Sequence, residues 1–150
     1  MFSQYKKILV LAVGGGNDSV STLLLQLQLN KKFNYHPEEI DIVAVLPDCL
    51  DYHNLVSTPH SLVSIINHDS TRSVQGYVMN AFPERILSQN KNIFSELPVK
   101  NVYGISMKQG SIGVCNSLKF LITQKTYDLI LAIDVGGDFV AHKNNLEVLS

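Results

Sequence analysis

Two short runs have the residue types and spacing of a binding mouth. The apolar run Ile8-Leu9-Val10-Leu11-Ala12-Val13 leads straight into Gly14-Gly15-Gly16-Asn17-Asp18-Ser19. Consecutive glycines let several backbone N–H groups converge on one anion. A helix that starts there adds the positive end of its dipole. The second run, Leu129-Ile130-Leu131-Ala132-Ile133, ends in Asp134-Val135-Gly136-Gly137-Asp138. Asp134 and Asp138, held across a glycine pair, suit Mg²⁺ beside a phosphate, a sugar diol, or proton transfer. The same residues also suit plainer work. The glycines make a tight strand-to-helix turn capped by Asn17, Asp18 or Ser19, and the aspartates bond their own loop or cap a turn. Neither run holds a self-evident nucleophile, so no catalytic residue is assigned.

The two runs need a scaffold that brings them together. Residues 7–13 and 41–46 are apolar without alternation, the pattern of strands covered on both faces. Between them, residues 18–32 predict a helix with a Val20, Leu23, Leu24, Leu27 stripe and lysines in its last turn. Residues 62–66 predict a short strand, and residues 67–72 a polar loop in which Arg72 can face a phosphate or carboxylate. Helices are expected over 74–82 and 84–89, with Tyr77, Met79 and Phe82 in the core. Strands follow at 102–106 and 128–133. They flank a helix over 112–125 whose stripe is Val114, Leu118, Leu121 and Ile122, with Cys115 as a small core residue.

Strands alternating with helices predict a single α/β domain over residues 1–150. The expected fold is Rossmann-like and doubly wound, a mostly parallel sheet with helices on both faces. In such sheets ligands sit beyond the carboxyl ends of the strands. Those ends carry residues 14–19, Asp48-Cys49, residues 68–72, residues 108–111 and residues 134–138, so polar and glycine-rich residues gather on one rim.

Composition removes several classes of function. Hydrophobic residues make up 45% and charged residues 17%, the balance of a globular domain. A net charge of −1 argues against broad nucleic-acid binding, which needs a basic face. No stretch approaches the ~20 apolar residues of a membrane span, and the run 8–13 is too short for a signal peptide. Cys49 and Cys115 have no metal or redox spacing, so both are expected as reduced thiols in a cytoplasmic protein. His36, His53, His60, His68 and His142 lack zinc-site spacing.

The loop at residues 14–19 can be set against known phosphate motifs. A Walker A loop is absent, because no Gly-Lys-Ser/Thr closes the turn. The dinucleotide fingerprint is half met: Gly14 and Gly16 fit, Ser19 replaces the third glycine, and Asp48 falls late for the ribose acid. Gly15-Gly16-Asn17-Asp18-Ser19 resembles the S-G-G-x-D-S loop of the N-type ATP pyrophosphatases, which adenylate substrates with ATP and Mg²⁺. Gly14 stands where that loop has its first serine.

Over almost its whole length the chain also resembles a bacterial and archaeal family known as a domain of unknown function. The residues carrying this are Gly14-Gly15-Gly16-Asn17-Asp18, Phe82-Pro83-Glu84, Val102-Tyr103-Gly104-Ile105-Ser106, Tyr127-Asp128-Leu129-Ile130 and Asp134-Val135-Gly136-Gly137-Asp138. The resemblance implies a Rossmann-like fold and no assigned reaction. It also implies a longer architecture of which this chain is the N-terminal part, with a second copy or a separate C-terminal partner completing the site.

The leading expectation is binding of a nucleotide, ATP or another, or of another phosphorylated small molecule. Gly14, Gly15, Gly16, Asn17, Asp18 and Ser19 form one side of that site. Asp134, Gly136, Gly137 and Asp138 form the other, with Asp134 and Asp138 on Mg²⁺. The alternatives are an ATP-dependent adenylating enzyme, a hydrolase using Asp134 or Asp138 as base, and a nonenzymatic interaction or regulatory module on an enzyme-like fold.

Overall fold

A computed structural model describes residues 4–14, 16–75, 77–79, 85 and 97–134. The apolar runs become strands β1 (Lys7–Ala12) and β2 (Glu39–Leu46), whose inner residues are almost all buried. Between them lies helix α1 (Asn17–Phe33). Asn34, in the left-handed conformation that asparagine tolerates, ends the helix. Short strands follow: β3 (Asp51–His53), β4 (Val56–Ser57), β5 (Val63–Ile65), β6 (Thr71–Val74) and β7 (Tyr77–Met79). Strand β8 (Val99–Ser106), helix α2 (Gly110–Gln124) and strand β9 (Leu129–Ile133) complete the described elements.

The main sheet runs β4-β5-β8-β2-β1-β9, and β3-β6-β7 form a second, smaller sheet. Side chains alternate across the main sheet and split its core in two. Ile8, Val10, Ile40 and Ile42 pack with Leu23 of α1. On the other face Leu9, Val43 and Ile105 pack with Leu121 of α2.

The doubly wound, Rossmann-like expectation is corrected by this topology. Among the described residues only β8-β2, β2-β1 and β1-β9 are parallel pairs. The pairs β5-β8, β4-β5, β3-β6 and β6-β7 are antiparallel, so the sheet is mixed. Among the described residues each face carries one helix at most. The cause lies in residues 51–79, where short segments return through tight turns instead of crossing over as helices. Of the expected helix over 74–82, Val74 and Tyr77–Met79 are strand and Gln75 is a turn, and Tyr77 is 79% exposed rather than core. The segments at 80–84 and 86–96 lie outside the described residues.

The expected stripes of both helices face the core except at Leu24 and Ile122, and small or polar residues share the buried faces. In α1 the buried residues are Asp18, Ser19, Thr22, Leu23 and Gln26, while Leu24 is 54% exposed. In α2 they are Gly113, Ser117 and Leu121, and Ile122 and Cys115 face solvent. Small residues win on α2 because close approach to the sheet leaves no room for larger ones; a Cβ on Gly113 would press on Leu62 and Gln109.

Candidate functional site

The sheet has two rims, and the first feature of interest lies where β1 and β9 end. These strands are adjacent and parallel, with Ala12 opposite Ile133. The Val13 N–H donates to the Ile133 carbonyl at 3.0 Å, which extends the pairing past the strands. Gly14 and Asp134 are therefore brought to one mouth. Here the chain order also changes direction: β2 and β8 lie on one side of β1, and β9 on the other.

Within this mouth the Gly14 N–H donates to Asp18 Oδ2 at 2.8 Å. The loop thus holds an anion, supplied by its own chain. Asp18 is nearly buried, and a Cβ on Gly14 would collide with its carboxylate. Gly16 precedes the helix at φ 54°, a conformation that favours glycine. None of the expected side-chain caps forms. Instead the Ser19 hydroxyl donates back to the Gly16 carbonyl at 2.5 Å, and its backbone N–H bonds the same oxygen. Asn17 and Asp134 are exposed. Gly15, Gly136, Gly137 and Asp138 lie outside the described residues.

A second feature on this rim carries no sequence motif. Beyond the ends of β2 and β8 lies a cavity of about 280 Å³. Its polar lining is Asp48, Asp51, Ser61, Ser64 and Lys108, and Leu50, Leu55 and Leu62 form an apolar wall. Tyr52 of β3 also lines it, with Arg72 of β6 directly opposite Tyr52 in the small sheet. Asp48 and Lys108 follow strand ends and were legible as rim residues. Asp51 and the two serines are brought in by the antiparallel segments, which no periodicity announces.

The opposite, amino rim holds a charge cluster that the sequence presents as one acid in an apolar strand. Asp41 is fully buried. Its Oδ1 accepts from Asn101 Nδ2 at 2.7 Å and from the Asn101 backbone at 3.1 Å. Its Oδ2 accepts from Lys125 Nζ and Tyr127 Oη, each at 2.7 Å. Lys125 also bonds Glu39 at 3.1 Å. Burial works to lower the Lys125 pKa, but bonds to Asp41 and Glu39 outweigh it and raise it far above its ordinary value. Burial and the bond to Asp41 push the Tyr127 phenol well up too. Beside this cluster the Asp128 carboxylate accepts the Lys6 and Lys7 N–H groups at 2.8 Å, which lowers its pKa.

The remaining candidates are ordinary surface and turn residues. His36 bonds Asn30 and Asn34 at the helix end, and His53 bonds Ser73 across the small sheet. His68 pairs with Asp69 at an exposed turn. Among the described residues no three metal-ligating side chains cluster. No helix among them is long and apolar enough to cross a membrane.

The family described as "Protein of unknown function (DUF1152)" matches residues 9–150. The chain belongs to this family. The match covers both the glycine loop and the Asp134 run. No curated protein and no solved structure matches the chain.

Proposed function

We propose that the mouth between β1 and β9 binds a phosphorylated small molecule, a nucleotide such as ATP, together with Mg²⁺. The observation that carries this reading is the Val13–Ile133 hydrogen bond, which holds the glycine loop and Asp134 side by side. In sheets with parallel strands, ligands favour the carboxyl-end crevice where the strand order reverses. The Gly14 N–H already binds a carboxylate oxygen, and a phosphate oxygen makes the same demand on that donor.

Charge decides the form of the ligand. Residues 13–19 contain no Lys or Arg, and the mouth has Asp18 and Asp134. A bare phosphate would meet these carboxylates unscreened, whereas a Mg²⁺ complex would not. The residues fit that ion, since Mg²⁺ takes one or two carboxylates, phosphate oxygens and several waters rather than a full protein cage. Asp18, when a phosphate takes over the Gly14 N–H, becomes free to serve as a metal ligand beside Asp134. The mouth has no nucleophile of its own, so the reading is of binding.

Isothermal titration with ATP, NAD and a nucleoside monophosphate tests this, with and without Mg²⁺. ATP is expected to bind at least about tenfold more tightly with the ion, and Asp134→Asn to remove that gain. Absence of binding by all three under both conditions would refute the reading.

A further inference from the structure

We infer that the cavity beyond β2 and β8 is a binding site for a small aliphatic zwitterion bearing a primary ammonium and a carboxylate, an amino-acid-like molecule. The argument begins with what the lining groups do not do. Among the described residues, Asp48 and Asp51 are the carboxylates that make no hydrogen bond or ion pair; every other Asp and Glu is engaged. Both line this one cavity. Lys108 lines it as well, and its ammonium pairs with neither acid.

Opposite charges around one space, exposed and not paired with one another, complement a ligand carrying both signs. A primary ammonium has three N–H donors. The two carboxylates and a hydroxyl from Ser61 or Ser64 match that number. Lys108 supplies the point charge for the ligand carboxylate. The leucine wall takes the aliphatic part, through burial of apolar area.

Size sets the class. The volume of about 280 Å³ lies just under the roughly 300–1,000 Å³ of pockets that enclose drug-sized ligands. That volume suits a single amino acid. This site is separate from the glycine loop, so failure of ATP to bind would leave it standing.

The test uses three isosteric probes on the whole chain, by titration calorimetry or ligand-observed NMR. These are L-leucine, leucinamide (ammonium kept, carboxylate lost) and 4-methylpentanoate (carboxylate kept, ammonium lost). Leucine is expected to bind, and 4-methylpentanoate to bind at least about tenfold more weakly. Asp48→Asn with Asp51→Asn should weaken leucine and leucinamide alike by at least about tenfold. Lys108→Met should weaken leucine while leaving leucinamide unchanged. The side chains of these residues make no hydrogen bond or ion pair among the described residues, so thermal melts should confirm that the variants remain folded. No leucine binding by the wild-type chain would overturn the inference, as would leucine binding that ignores the two Asp→Asn changes.

Discussion

The two rims of the main sheet carry similar polar residues and use them differently. At the amino rim Asp41, Glu39, Lys125, Tyr127 and Asn101 answer one another. At the carboxyl rim the side chains of Asp48, Asp51 and Lys108 stand around a cavity without pairing with any of the described residues. Residue type does not separate the two, since both rims have aspartates and a lysine. Pairing does. A buried charge must find its partners within the fold, because water is not there to supply them. A charge at an open cavity keeps water until a ligand replaces it.

This contrast makes the amino rim the more fragile in stability. Asp41→Ala leaves Lys125, Tyr127 and Asn101 without their shared acceptor, and should cost about 3–5 kcal/mol in chemical denaturation. A loss below about 1 kcal/mol would break the comparison at its strongest point. Alkaline titration sharpens the same contrast more gently. Lys125 and Tyr127 both hold their protons more tightly in the folded chain than in the unfolded one. Their contribution is therefore complete below the unfolded values near pH 10 and is lost as pH climbs toward the folded ones. Wild-type stability should fall above about pH 10, and Lys125→Met with Tyr127→Phe should flatten that decline. Smallest of all, Asp48→Asn with Asp51→Asn should change the free energy of unfolding by no more than about 0.5 kcal/mol. A larger loss there would mean that the carboxyl rim is scaffold too.

Legibility followed the range of the interactions. β1, β2, β8, β9 and the two helices stand where hydrophobic pattern places them, within a few residues. Gly14 and Asp134 follow the neighbouring ends of the parallel pair β1 and β9, where hydrophobic pattern places both strands. Within residues 51–79 the strand expected at 62–66 is β5, whereas β3, β4, β6 and β7, two to four residues long, are too short to show a period. Helical spacing rests on Tyr77, Met79 and Phe82 together, and the pairing of β6 with β7 makes residues 77–79 a strand instead. On α1 the expected Leu23, Val20 and Leu27 do face the core, but polar residues share that face. Its polar residues Asp18, Ser19 and Thr22 make local bonds to the turn backbone and so tolerate burial beside Leu23. Gln26 is also fully buried, and its amide finds no hydrogen-bond partner among the described residues.

The sequence by itself determined which segments become the central parallel strands, and that a glycine turn follows the first of them. Those outcomes depend on neighbours a few residues apart. Only the tertiary structure decided that the sheet is mixed and that Asp41 is the centre of a charge network. It also decided that Asp48, Asp51 and Lys108 surround one cavity. Contacts across tens of residues depend on which strands pair and in which direction, and short antiparallel segments leave that choice to the assembled fold.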